Sequence, residues 1–260
     1  AMQRVSQLDP NLILMDVRMG ETSGIEACRA IKSAHPQISV LMLTSFGEEE
    51  AVMSAIMAGA SGYLLKNVVA AGIPCLGIEP TAGTAAAAEQ LGIPVLREFF
   101  GEELGRRLAS SGRQADLIAG NNVYAHVPDI NDFTRGLKAA LKPRGTITLE
   151  FPHLMQLIEH TQFDTVYHEH FSYLSLHTVN RIFEAAGLRV CDVEELPTHG
   201  GSLRVYGCHA EDTRQTSGAV GALLSEETRR GLQTLAPYQG FQAKAEQIKD
   251  DLVAFLIEQK

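Results

Sequence analysis

Imidazole and carboxylate side chains crowd one short stretch of this chain, Tyr167-His168-Glu169-His170-Phe171-Ser172-Tyr173. An imidazole titrates near neutrality, so His170 has the chemistry of a general base at pH 7. In extended backbone Tyr167 and Glu169 stand two residues apart and share a face, from which they orient a bound molecule or the imidazole beside them. The His-x-His spacing of His168 and His170 also presents two nitrogen ligands to one side, as a metal site does. Nothing nearby supplies the remaining ligands, and no metal is expected. Glu79 closes the apolar run Cys75-Leu76-Gly77-Ile78, where a carboxylate either accepts hydrogen bonds from a pair of hydroxyls or caps a helix starting near Thr81. Asn121 and Asn122 follow Ala115-Asp116-Leu117-Ile118. Their amides donate and accept around a polar ligand, or simply make a turn. Single histidines elsewhere, such as His35, His160 and His177, read as surface or satisfied core residues.

These groups need a scaffold, and the chain alternates short apolar runs with amphipathic stretches. Leu12-Ile13-Leu14-Met15 precedes a helical pattern from Gly24 to Ala34, and Ile38 to Leu43 precedes one from Glu48 to Ala58. The alternation continues through Cys75 to Ile78, Thr81 to Leu91, Pro94-Val95-Leu96, Gly101 to Ser110 and Ala115 to Ile118. Strands followed by crossover helices predict a mostly parallel sheet covered on both faces. A helix from Ile130 to Leu141 then leads through the turn Lys142-Pro143-Arg144-Gly145 into a strand at Thr146 to Glu150. Late strands are expected at Leu188 to Val193 and Leu203 to Gly207. From Glu226 onward the pattern is helical with a break near Pro237, and Ile248, Leu252, Phe255 and Leu256 form one apolar stripe, the usual mark of core packing.

The 260 residues are 45% hydrophobic and carry a formal net charge of −9. That composition supports a large core and argues against disorder, nucleic acid and anionic membranes as partners. No apolar run reaches the ~20 residues of a bilayer span, and the start of the chain lacks a signal-peptide core, so a cytoplasmic protein is expected. Cys28, Cys75, Cys191 and Cys208 lie far apart without C-x-x-C spacing and read as free thiols.

Residues 9 to 66 carry three specific blocks: Pro10-Asn11-Leu12-Ile13-Leu14-Met15-Asp16-Val17-Arg18-Met19, Leu43-Thr44-Ser45, and Ala58-Gly59-Ala60-Ser61-Gly62-Tyr63-Leu64-Leu65-Lys66. This stretch resembles the second half of a response-regulator receiver domain. The resemblance implies a phosphoacceptor at Asp16, a hydroxyl sensor at Thr44 and a paired lysine at Lys66, all at strand ends facing one crevice. The family's opening strand, with the acidic pair that holds Mg²⁺, has no counterpart here. Asp16, Thr44 and Lys66 are therefore expected to be a vestigial set. Met19-Gly20 also departs from the family's usual proline after the methionine.

From Gly62 onward other blocks appear: Gly77-Ile78-Glu79-Pro80, Gly120 to Asp129, Asp164 to Leu174, and His199-Gly200-Gly201-Ser202-Leu203-Arg204. They resemble the S-adenosylmethionine-dependent C-methyltransferases of keto-deoxysugars. The resemblance assigns Glu79 to the cofactor ribose, Asn121 and Asn122 to the cofactor, and His170 to the base that removes a proton beside a carbonyl. It gives Tyr167, Glu169 and His126 to substrate or enolate. C-methylation demands this set, because a carbanion equivalent must form and lie in line with the methyl donor. The family's first strand and glycine-rich turn are replaced by Ala58-Gly59-Ala60-Ser61-Gly62, so weak S-adenosylmethionine binding is expected. The family's N-terminal zinc module and second α/β domain are expected, on this resemblance, to have no counterpart in the sequence.

Gly62-Tyr63-Leu64-Leu65-Lys66-Asn67 fits both families. The chain thus reads as an engineered chimera joined at a shared string, with a receiver-like, flavodoxin-like fragment at residues 1–66 and a Rossmann-like methyltransferase fragment at 67–260. The two are expected to form one α/β unit with C-terminal helices and little or no native activity. An active C-methyltransferase taking a sugar substrate is the first alternative, and a phosphoacceptor signalling module the second.

Overall fold

The computed structural model describes residues 12–16, 18–19, 22–23, 31, 39–44, 62–65, 74–90, 92–197 and 200–259. The chain divides into two compact units, Ala1–Phe99 and Phe100–Lys260.

In the first unit, near-continuous apolar runs become strands of a parallel sheet, as such runs should. Strands β1 (Leu12–Asp16), β4 (Ser39–Thr44) and β5 (Gly62–Leu65) lie in the order β1-β4-β5, all parallel, with Leu14 opposite Leu41 and Thr44 opposite Leu65. A two-residue hairpin pair, β2 (Arg18–Met19) and β3 (Thr22–Ser23), follows β1. Gly62–Leu65, the first four of the six residues of the string that fits both families, is thus a strand here. Farther on, β6 (Gly77–Ile78), α1 (Ala82–Gln90) and β7 (Val95–Leu96) make a small βαβ unit, with β6 and β7 parallel and Ala85 and Ala87 of the helix buried. An exposed Glu89–Arg97 ion pair at 2.6 Å ties α1 to the end of β7.

The second unit holds α2 (Glu102–Ser110), β8 (Ala115–Asn121), a 3₁₀ turn at Tyr124–His126, α3 (Ile130–Ala140), β9 (Leu141–Pro152) and α4 (Leu154–Glu159). After them come α5 (Leu176–Ala186), β10 (Leu188–Leu196), β11 (Ser202–His209), α6 (Gly218–Arg229) and α7 (Phe241–Glu258). Its sheet runs β10-β11-β9-β8. β8 and β9 are parallel, joined by the crossover helix α3, while β9, β11 and β10 pair antiparallel. The five residues between β10 and β11 are too short for a parallel crossover, so an antiparallel return is the available geometry. The α/β class expected from the sequence is the one observed, with the antiparallel strands making this sheet mixed. Lys142 to Gly145 bulge out of β9: Ala115 pairs with Leu141 and Leu117 with Thr146, and Lys142 Nζ reaches Asp116 at 2.6 Å.

One face of this sheet carries the core. Ile147, Leu149 and Phe151 of β9, with Leu203 and Val205 of β11, pack against Leu137, Val179 and Phe183 from the helices. Helices α2 and α3 approach closely because Gly105 faces the Gly136 backbone, where a β-carbon would overlap the Gly136 carbonyl. Caps define the helix ends. Asp129 Oδ1 accepts from the Asp132 amide at 2.9 Å, Ser175 Oγ accepts from the Thr178 amide at 3.2 Å, and Gly187 closes α5 at φ 74°.

The C-terminal stripe departs from the core-packing expectation. Helix α7 buries none of its residues, and Ile248, Leu252, Phe255 and Leu256 are 43–57% exposed. Periodicity specifies a face, and whether anything packs on that face is a tertiary matter. Cys191 and Cys208 are buried and Cys75 half-buried, all three as free thiols. Burial, with Cys191 beside it, pushes the Cys208 thiol up to about 11. Among the described residues no helix is long and apolar enough to cross a membrane.

Candidate active site

Tyr124 anchors the first half of the site. Its ring is fully buried, tilted against Phe133 and Phe151 and edge-on to Phe183. The Thr134 hydroxyl donates to the Ile130 carbonyl at 2.6 Å, so the Tyr124 hydroxyl donates to Thr134 Oγ1 at 2.7 Å. This pins the 3₁₀ turn and sets His126, two residues on, at the rim. Just upstream, β8 ends in Asn121, which is exposed, and Asn122, which turns left-handed at φ 53° while its amide donates to the Glu150 carbonyl at 2.9 Å. Asparagine tolerates that conformation better than most residues. Asn121 pairs in register with Glu150, and Glu150 with Arg204, whose guanidinium donates to the Glu150 carboxylate at 3.1 Å.

The second half is the segment from Phe163 to Tyr173, and it is a turn. This corrects the extended geometry expected from the sequence: the His170 amide donates to the Tyr167 carbonyl at 3.0 Å, folding Tyr167 onto His170. The two rings stack with centroids 4.3 Å apart at 30°. His170 Nδ1 lies 2.8 Å from the Thr165 carbonyl, which can only accept, so Nδ1 carries the proton. Nε2 is then the basic atom of the neutral ring and accepts from the Tyr167 hydroxyl at 3.2 Å. Amides of Phe171 and Ser172 donate to the Ala125 carbonyl at 2.9 and 3.2 Å, stitching the segment to the His126 turn.

His126 completes the group. Its Nδ1 donates to the Glu169 carbonyl at 3.0 Å, and its ring lies 4.6 Å from that of His170, centroid to centroid, while Tyr173 meets His170 edge-on at 5.8 Å. Burial, and then the His170 imidazole, hold His126 below the usual histidine value against the opposing pull of Glu169. Two imidazoles this close cannot both carry charge cheaply, which favours the neutral form of His126. Burial, with Glu169 and Tyr173, raises the Tyr167 phenol, which therefore stays a donor at neutral pH. The structure thus joins His170, Tyr167, His126 and the Glu169 backbone. It leaves Tyr167 and Phe171 with 43% and 58% of their surface open to a ligand.

Other expected site residues lie apart. Glu79 belongs to the Ala1–Phe99 unit, where its Oε1 accepts from the Thr81 amide at 2.7 Å, the capping arrangement. Asp16 and Thr44 end adjacent parallel strands, the backbone placement that the receiver resemblance implies, and Lys66 lies outside the described residues, as does His199. Among the described residues no three His, Cys, Asp or Glu side chains gather as a metal site requires. Two buried polar residues escaped the sequence analysis, His153 and Glu227, bonded to each other at 2.8 Å. Both had a signal. His153 continues the inward alternation of Ile147, Leu149 and Phe151, and Glu227 follows Val220 and Leu223 at helical spacing.

Three family matches tile the sequence: the response regulator receiver domain over residues 1–73, a methyltransferase domain over 57–193 and the C-methyltransferase C-terminal domain over 197–260. The chain belongs to the methyltransferase-domain family. It is a two-part fusion, and the first two matches overlap across the string Gly62 to Asn67 that fits both families. The methyltransferase part is similar to the C-methyltransferase NovU of Streptomyces niveus, 35% identical over 179 residues, or 69% of this chain and 43% of that protein. The receiver part is similar to the transcriptional regulatory protein LnrK of Bacillus subtilis, 41% identical over 70 residues, or 27% of this chain and 32% of that protein. The chain therefore spans less than half the length of either relative. Among solved structures, the Burkholderia thailandensis 1,6-didemethyltoxoflavin-N1-methyltransferase covers 72% of this chain and 78% of its own at 15% identity, with a TM-score of 0.38.

Proposed function

We propose that the Phe100–Lys260 unit is the base-bearing half of an S-adenosylmethionine-dependent C-methyltransferase that acts beside the carbonyl of a keto-deoxysugar. The observation that carries this is the setting of the His170 imidazole, its Nδ1 bonded to the Thr165 carbonyl and its Nε2 facing the Tyr167 hydroxyl. Nε2 takes the proton from the carbon next to the carbonyl. The 3.2 Å Tyr167 bond is long for a hydroxyl donor, a contact that yields its place to substrate. The Tyr167 hydroxyl then donates to the enolate as charge develops, while Nε2 of His126, whose Nδ1 proton is held by the Glu169 carbonyl, accepts from a sugar hydroxyl. Asn121 and Asn122 at the end of a parallel strand fit the amino-acid portion of the cofactor. S-adenosylmethionine, when bound, supplies an electrophilic methyl group.

The test separates base from methyl donor. In D₂O without cofactor, the carbon acid of a keto-deoxysugar substrate should exchange its proton in the presence of the chain, and His170→Asn should slow that exchange by roughly 10²- to 10⁴-fold. Exchange equal to the buffer rate would overturn the assignment.

A second reading has its own support. β5 pairs with β4 as part of a receiver-type sheet, and its residues belong to the string shared by both families. On that reading the join is an engineered recombination, and a folded chain lacks both exchange and cofactor binding.

A further inference from the structure

The segment carrying Tyr167 and His170 is largely exposed, and its downstream end is tied to a buried acid that the proton transfer does not use. Glu227 on α6 is completely buried, and both of its oxygens are engaged. Oε1 accepts from His153 Nε2 at 2.8 Å and from the Leu176 amide at 2.6 Å, and Oε2 accepts from the His177 amide at 2.8 Å. Those two amides open α5, where backbone donors lack helical partners and the helix dipole favours an anion. His153, 1% exposed, reaches the same segment through its backbone. It bridges Leu174, and the next amide, Leu154, donates to the Leu174 carbonyl at 2.9 Å.

One detail shows that packing alone does not explain this histidine. With Nε2–H given to the carboxylate, His153 Nδ1 is an acceptor, and it is buried without a partner among the described residues. An orphaned buried acceptor is costly, and an apolar residue would continue the β9 alternation without that cost. The polar pair therefore holds the segment at Leu174, Leu176 and His177, only four residues beyond His170. Between them the amides of Phe171 and Ser172 are already fixed to Ala125.

We propose that Glu227, acting through His153 and the amides of Leu176 and His177, is a positioning residue that fixes the Tyr167–His170 pair. The proposal rests on the methyltransferase reading for its purpose, but its first readout does not require catalysis. Three variants of the full chain suffice. Glu227→Gln turns an NH₂ toward at least one of the three donors; His153→Leu removes a donor; His153→Gln keeps a donor where Nε2 stood. Nitrogen-15 NMR of the imidazoles should show the His170 Nδ1 proton exchanging with solvent about fivefold faster or more in Glu227→Gln and His153→Leu, and at the wild-type rate in His153→Gln. In the D₂O assay the same two variants should lose about tenfold in rate, with the substrate KM little changed. Wild-type His170 signals in a folded Glu227→Gln or His153→Leu, or damage by His153→Gln equal to that of His153→Leu, would overturn the proposal. So would loss of the whole fold in both damaging variants, since the pair would then be a general support. An inactive wild type with the expected NMR pattern would count against methyl transfer alone and leave the positioning role standing.

Discussion

At His170 the chemistry turns on which nitrogen carries the proton, and a single backbone carbonyl, that of Thr165, decides it. His170→Asn is expected to slow carbon-acid exchange by roughly 10²- to 10⁴-fold, the usual contribution of a positioned base. Tyr167→Phe should cost less, because it removes a donor and keeps the stacked ring. His126 offers a pH test. Its folded-state pKa lies below the ordinary 6.5, so the unfolded chain takes up the proton more readily. The stability gained from a neutral His126 is complete above pH 6.5 and declines as the pH falls through that value toward the lower folded-state pKa. Urea titrations from pH 8 to pH 5 should show this slope, and His126→Asn, which preserves the bond to the Glu169 carbonyl, should flatten it. An unchanged slope would show that the destabilisation has another source.

Among the elements, α2 and α3 meet glycine to glycine, and no side chain can be inserted there without separating the helices. Gly136→Ala, which places a β-carbon against the Gly101 carbonyl, should destabilise the chain by about 1–3 kcal/mol. Because α3 begins just after the His126 turn, the same change should also broaden the His126 resonances. Helix α7 gives the opposite expectation. Leu252 is 57% exposed, so Leu252→Ala should alter stability by less than about 0.5 kcal/mol. A loss of several kcal/mol would mean that the stripe is buried in solution after all. Both variants are read from denaturant midpoints.

For the molecule as a whole, the join matters most. The compact-unit boundary falls at Phe99 and Phe100, well beyond Lys66. A split after Lys66 would separate β1, β4 and β5 from β6, α1 and β7 of the same compact unit. Residues 1–66 and 67–260 expressed apart should therefore aggregate or melt without cooperativity, while the joined chain is proposed to melt as one unit. Two separate calorimetric transitions in the intact chain would contradict that proposal. Cofactor affinity is expected to be poor, because replacing the glycine-rich turn removes several contacts worth about 1 kcal/mol each. Calorimetric titration with S-adenosylmethionine giving a low-micromolar dissociation constant would refute this.

Local pattern was enough to read the α/β class, the crossover helices, the turn at Lys142 to Gly145, and the two family segments with their shared string. Each depends on residue type at short spacing: apolar period, Gly and Pro punctuation, and side chains whose chemistry is intrinsic. The clustering of Tyr167, His170 and His126 was legible as a list of residues. Its geometry was not, because the extended stretch assumed for Tyr167 to His170 folds into a turn once residues 171 and 172 bond to Ala125, far away in sequence. The same holds for the antiparallel return of β11, the bare stripe of α7, and the buried His153–Glu227 pair, whose partners are 74 residues apart. Pairing across such distances depends on which faces the folded chain brings together and which donors it strips of water. Residue spacing alone does not contain that information.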